Sequence, residues 1–304
     1  MVAPILQVTN LHKQFGTFTA VDGISFAVKE GEIVGLLGPN GAGKTTTIMM
    51  LLGIIKPTSG AISLFGKDFF THREEVLQLM NYSSAYAKLP WRLKTWEALY
   101  VFSQLYDIPK PWPRINELMH AFQVEPYRNT LLGDLSAGNM TRVNLCKAFI
   151  NRPRLVLLDE PTASLDPDIA DHVRSFIKES REKFSTTIVI SSHNMAEIEE
   201  LCDRVIFMNH GKVIAEDTPE GLAKKISRTR VKLMMRDGQK RTIAFCDKNK
   251  LLVSTTDRDV TIEIEEAKVS WLLMSLSQKG VDYSQISIEK PTLEDFFIME
   301  ARHV

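Results

Sequence analysis

Gly38-Pro39-Asn40-Gly41-Ala42-Gly43-Lys44-Thr45-Thr46 is the stretch that decides the fold. It follows the apolar run Ile33-Val34-Gly35-Leu36-Leu37 and opens into the apolar Ile48-Met49-Met50-Leu51-Leu52. The spacing is G-x-x-x-x-G-K-[ST], set between a short buried strand and a helix, where its mechanism needs it. Glycines let successive backbone N–H groups converge on phosphate oxygens, and the helix N-terminus adds a favourable dipole. Lys44 is then placed to reach the β- and γ-phosphates of a nucleotide, and the Thr45 hydroxyl to ligate Mg²⁺.

A second strand end completes that chemistry. Leu155-Val156-Leu157-Leu158 is an apolar strand that ends in Asp159-Glu160. Asp159 is placed to hold the Mg²⁺ shell and Glu160 to polarise a water attacking the γ-phosphate. An apolar run ending in two acids is common by itself; beside a phosphate loop it becomes specific. A third such unit is Thr187-Ile188-Val189-Ile190 followed by Ser191-Ser192-His193-Asn194.

The rest of the chain fits around these units. Residues 5–11 and 20–28 read as strands joined by a polar turn at Gly16, and residues 57–66 as a turn entering another strand. Residues 73–127 read as mostly helical, and residues 204–217 as a hairpin turning at His210-Gly211. Strands alternating with helices predict an α/β fold with a largely parallel sheet covered on both faces. Beyond Ile226 the character changes. Residues 231–245 read as a hairpin turning at Asp237-Gly238, residues 259–266 alternate like a half-buried strand, and residues 265–280 space apolar positions like an amphipathic helix. A strand over 283–290 and a closing helix from Leu293 complete a small α+β appendage. The expected domains are residues 1–226, with a helical subdomain over about 86–150, and residues 227–304.

Composition narrows the function. The 304 residues are 44% apolar and carry 37 basic and 37 acidic side chains, which excludes disorder and leaves no net field to recruit nucleic acid. No stretch approaches the roughly 20 charge-free apolar residues of a membrane helix, and the N-terminus lacks a signal-peptide pattern. Cys146, Cys202 and Cys246 are odd in number and far apart, so packed thiols in a reducing compartment are expected. The chain is expected at the cytoplasmic face of a membrane only through a partner.

Between the phosphate loop and the acidic strand end lies Leu135-Ser136-Ala137-Gly138-Asn139. With it, the order of motifs over residues 5–225 resembles the nucleotide-binding subunit of ATP-binding-cassette (ABC) transporters. Leu135–Asn139 is similar to that family's Leu-Ser-Gly-Gly-Gln signature, with Ala137 and Asn139 as departures. Ser164-Leu165-Asp166 resembles its D-loop, His193 its switch histidine and Phe15 the aromatic that stacks on adenine. The resemblance implies a P-loop ABC-ATPase core with ATP and Mg²⁺ as cofactors. It also implies a head-to-tail dimer, expected to be of two identical subunits. Since the chain carries one copy of each motif, Ser136 and Gly138 would act on the partner's γ-phosphate.

The resemblance further implies an integral-membrane permease. Residues 289–297, Glu-Lys-Pro-Thr-Leu-Glu-Asp-Phe-Phe, resemble the closing segment common in exporter-type ATPases of the family. One departure stands out. Aligning Leu93, Thr95, Glu97 and Leu99 with the segment after the family's Q-loop places Ala85 where a glutamine is expected to touch Mg²⁺ and the attacking water. Ser83, Ser84 or Tyr86 would then have to complete the shell, or water would. Two other readings compete with the exporter subunit. A soluble ABC ATPase working on ribosomes or DNA usually carries two cassettes or a long coiled coil, and this sequence has neither. A weakly hydrolysing regulatory module is motivated by Ala85.

Overall fold

The computed structural model describes residues 4–84, 87–226 and 228–302. It divides into two compact units, Met1–Pro219 and Glu220–Val304.

The first unit opens with the hairpin β1 (Leu6–Phe15) and β2 (Phe18–Val28), then β3 (Ile33–Leu37) and helix α1 (Lys44–Leu51). The chain returns through β4 (Ser59–Leu64) and β5 (Lys67–Asp68), which join the hairpin in an antiparallel sheet of order β2-β1-β4-β5. Helix α2 (Arg73–Gln78) leads into β6 (Met80–Ser84). The helical region follows as α3 (Thr95–Ser103), α4 (Pro111–Ala121) and α5 (Ala137–Ala148). Then come β7 (Leu155–Asp159), α6 (Pro167–Phe184), β8 (Thr187–Ser191), α7 (Met195–Leu201), β9 (Arg204–Asn209) and β10 (Lys212–Asp217).

These strands form a six-stranded sheet of order β10-β9-β3-β8-β7-β6. Five run parallel; β10 closes one edge as the antiparallel arm of the hairpin expected at His210-Gly211. The central strands β3 and β8 are buried along their whole length, which is why they read as unbroken apolar runs. The core lies where α1 (Ile48, Leu51) meets Leu6, Val8, Ile62 and Leu64 of the first sheet and Leu155, Leu157 and Ile206 of the second. Each fully buried leucine or isoleucine there contributes about 1.5–3 kcal/mol.

Strand β6 corrects the reading of residues 73–127 as mostly helical. Its sequence, Met-Asn-Tyr-Ser-Ser, is too short and polar to announce a strand. Parallel pairing with β7 supplies its backbone bonds, and the Asn81 amide is satisfied by the Lys147 carbonyl at 3.1 Å and Asn151 Oδ1 at 2.9 Å.

The second unit, after the short helix α8 (Pro219–Ala223), holds β11 (Arg228–Asp237), α9 (Gln239–Lys248), β12 (Leu252–Thr256), β13 (Asp259–Glu265), α10 (Val269–Gln278), β14 (Asp282–Glu289) and α11 (Leu293–Arg302). Its sheet has the order β12-β13-β11-β14, all antiparallel. The hairpin expected at Asp237-Gly238 is not there. β11 pairs with β13 and β14, and Gly238, at φ 91°, is the N-cap of α9. Thr242, Phe245 and Cys246 are the buried positions of that helix, a spacing of three and four that outweighs the turn signal.

Candidate active site

The loop between β3 and α1 is built from backbone conformations that side chains avoid. Gly41 and Gly43 have φ of 82° and 100°. A Cβ on Gly43 would sit 2.5 Å from the Ala20 carbonyl oxygen, and one on Gly38 would sit 2.0 Å from that of Met208. The loop is therefore pressed onto β2 and β9, and only glycine fits at those two points. A cavity of about 240 Å³ lies against it, lined by Asn40, Gly41, Ala42, Gly43, Lys44, Thr45 and Thr46 together with Phe18 and Ala20. The Lys44 ammonium donates to the carbonyls of Gly38 at 2.5 Å and Pro39 at 3.0 Å. Burial lowers its pKa, and the carboxylates of Glu160 and Asp159 oppose that shift.

Asp159 ends β7 between two serines. The Ser191 hydroxyl, from β8, donates to Oδ1 at 2.5 Å, and the Ser84 hydroxyl, from β6, donates to Oδ2 at 3.3 Å. Glu160 leaves the strand with φ 54° and donates its N–H to the Ser191 carbonyl at 2.9 Å. That left-handed backbone is costly for a glutamate. His193 Nε2 lies 3.5 Å from Glu160 Oε1. Burial raises the Glu160 pKa, the neighbouring His193 pulls it down, and the charges of Asp159 and Glu197 push it up further.

The His193 loop is fixed from below. The Ser192 hydroxyl donates to Glu197 at 2.7 Å and accepts from the Asn194 N–H at 3.1 Å, while Asn194 caps α7 by accepting from the Glu197 N–H at 3.3 Å. Burial pushes the Glu197 carboxyl above its ordinary range. Sequence reading passed over Ser191, Ser192 and Glu197, because no spacing marks a serine that serves another strand's carboxylate.

The remaining predicted residues stand elsewhere. Ser136 is the exposed N-cap of α5, its hydroxyl accepting from the Asn139 N–H at 3.3 Å. Gly138 sits against the Ser164-Leu165-Asp166 turn: a Cβ there would lie 2.9 Å from the Ser164 carbonyl oxygen. Neither lines the loop cavity. Phe15 does not line it either; its ring is half exposed beneath Lys13 Nζ at 4.8 Å, and its cross-strand partner Phe18 faces the cavity instead. Ala85 and Tyr86 lie outside the described residues.

Residues 21–163 match the family model described as ABC transporter. The bacitracin transport ATP-binding protein BcrA of Bacillus licheniformis is 33% identical, over 98% of this chain and 97% of its own length. This chain belongs to the ABC transporter family. The daunorubicin/doxorubicin resistance ATP-binding protein DrrA of Streptomyces peucetius is 28% identical over 98% of this chain and 92% of its own. A Nod factor export ATP-binding protein I of Burkholderia orbicola is 37% identical over 73% of each chain. Among solved structures, an ATP-binding subunit of an ABC transporter superposes with a TM-score of 0.68 at 28% identity, covering 73% of this chain and 92% of that one. The protein is thus an ABC ATPase that binds ATP, and the match to BcrA and to DrrA extends through the second unit. Among the described residues, no helix is long and apolar enough to cross a membrane.

Proposed function

We propose that this ATPase powers an exporter, hydrolysing ATP at sites shared between two copies of the chain and driving a separate membrane permease. The observation that carries the reading is the convergence of Lys44, Asp159, Glu160 and His193 on the end of the parallel sheet, with Ser136 exposed at the start of α5 and Gly138 against the Ser164 turn. In this reading the loop from Gly38 to Thr46 holds the phosphates through its N–H groups. Lys44 exchanges the Gly38 and Pro39 carbonyls for phosphate oxygens. Glu160 takes the proton of the attacking water, and His193, beside it, orients that water and the γ-phosphate. Thr45 and Asp159 offer hard oxygen donors that fit Mg²⁺. The ion, when bound with ATP, would neutralise charge developing on the phosphates. Ser136 and Gly138 of each copy would close the other copy's site, with Asp166 helping across the interface. Phe15, or Phe18 opposite it on the hairpin, would meet the adenine.

The exporter and the permease rest on the relatives' transport, export and resistance names and on one surface. Trp91 is 63% exposed, and its carbonyl accepts the Gly133 N–H at 3.0 Å. Leu93 holds Leu132 in the same way at 2.9 Å, so a partner resting on Trp91 pulls on the segment that leads to Ser136. One experiment tests both halves. Glu160→Gln should lower phosphate release about a hundredfold or more while ATP stays bound. From detergent-solubilised membranes the tagged variant should then retain one integral membrane protein, and adding Trp91→Ala should release it. Turnover by Glu160→Gln at the unmodified rate, or retention of no membrane protein, would overturn the respective half.

A further inference from the structure

Three adjacent parallel strands place Ser84, Asp159 and Ser191 side by side. Ser84 pairs in register with Asp159, and Asp159 with Ser191. The two hydroxyls divide the carboxylate between them, Ser191 on Oδ1 and Ser84 on Oδ2 at 3.3 Å. Both serines are buried, so each hydroxyl points at the carboxylate rather than at solvent. Ser83, one residue earlier, stands beside Leu158 and, by the alternation of a strand, projects to the opposite face. Tyr82 shares the face of Ser84, and its hydroxyl lies near enough to interact with both Ser84 and Asp159.

We propose that Ser84, backed by Tyr82, is the positioning residue that fixes the Asp159 carboxylate for its metal ion, in a chain whose next residue is Ala85. A carboxylate with a donor on each oxygen is held in one orientation. Outer hydroxyls of this kind orient a metal ligand without touching the metal. An alanine has neither donor nor acceptor, whereas the hydroxyl one residue upstream reaches the metal-holding carboxylate from β6. The inference rests on the reading of Asp159 as that carboxylate.

The test is Mn²⁺ titrated into the full chain carrying Glu160→Gln and loaded with ATP, the free ion followed by electron paramagnetic resonance. Ser84→Ala should weaken Mn²⁺ about tenfold, the lower end of what loss of an outer-shell partner does. ATP binding in excess chelator should stay within about twofold, and Ser84→Thr, which keeps the hydroxyl, should restore most of the metal affinity. Tyr82→Phe, which keeps the ring in the core, should give a smaller loss and covers the case in which Ser84→Ala melts early. Equal loss in Ser84→Ala and Ser84→Thr, or a parallel fall of metal-free ATP binding, would reduce Ser84 to packing and overturn the inference. Asp159→Asn separates the two readings. If it leaves Mn²⁺ unchanged, Asp159 does not hold the metal. If it weakens Mn²⁺ while Ser84→Ala and Tyr82→Phe do not, only the role of Ser84 fails.

Discussion

Lys147 shows how strongly burial acts on a single charged residue. It sits in the last turn of α5, and its ammonium lies 5.9 Å from the ring centres of Tyr82 and Phe102 with no carboxylate within 4 Å among the described residues. Burial alone lowers its pKa from 10.5 to about 8. Below pH 8 both folded and unfolded chains keep the proton, and the folded chain bears the whole cost of a poorly solvated charge. Between about 8 and 10.5 the folded chain sheds the proton while the unfolded chain holds it, so stability rises with pH. Lys147→Met should therefore stabilise at pH 7, by about 1–2 kcal/mol once partial solvation and the lost cation–π contacts are allowed for. The gain should shrink steadily towards pH 10 in denaturant melts; a gain independent of pH would refute the assignment. Phe18 supports a second expectation. It lines the loop cavity and Phe15 lies opposite it across the hairpin, so replacing the ring that stacks on adenine, by Phe15→Ala or Phe18→Ala, should weaken ATP binding about tenfold, as loss of one stacked base–aromatic contact does, and replacing the other far less. Isothermal titration of both variants checks it. The resemblance marks Phe15 alone; the pairing of Phe15 with Phe18 across the hairpin brings both rings to one face of the sheet.

Legibility at the scale of elements follows burial. Strands β3, β7 and β8 were readable because a central parallel strand is apolar on both faces, and the loop after β3 because its glycines and lysine have fixed offsets. Strand β6 was hidden because an edge strand needs only one neighbour and this one buries asparagine and serine satisfied by side-chain bonds. At Asp237-Gly238 a strong turn signal met a helix period, and the helix prevailed. Gly238 still carries a constraint there. Its φ of 91° strains any side chain, and a Cβ would sit only 3.1 Å from the Val281 Cα. Gly238→Ala should destabilise the second unit by about 1–2 kcal/mol, the cost of holding an L-residue in left-handed backbone. A thermal melt should show the loss, with ATP affinity unchanged. An unshifted melt would mean that the start of α9 can relax.

At the scale of the whole molecule the chain is half of its proposed machine. Lys44, Asp159, Glu160 and His193 come together within the first unit, while Ser136 and Gly138 stand at the start of α5 in the helical region. Gly138 is held against Ser164, so the signature and the Ser164-Leu165-Asp166 turn form one surface, with Ser136 and Asp166 both exposed on it. An exposed N-cap serine at the start of a twelve-residue helix is suited to receive a phosphate from outside. In the proposed two-fold dimer each such surface would face the other copy's loop, and each copy would supply half of both sites. Two inactive variants should then rescue one another. Lys44→Ala loses its own phosphate hold but presents an intact Ser136; Ser136→Arg blocks the signature but keeps an intact loop. Mixed in equal amounts, half the dimers should contain one of each, and each of these should hold one complete site of two. Turnover should recover to about a quarter of the unmodified level if the sites act independently. Carrying different affinity tags on the two variants lets the mixed dimer be isolated and its bound nucleotide counted. Mixed dimers that neither turn over nor retain ATP would show that Ser136 does not complete its partner's site.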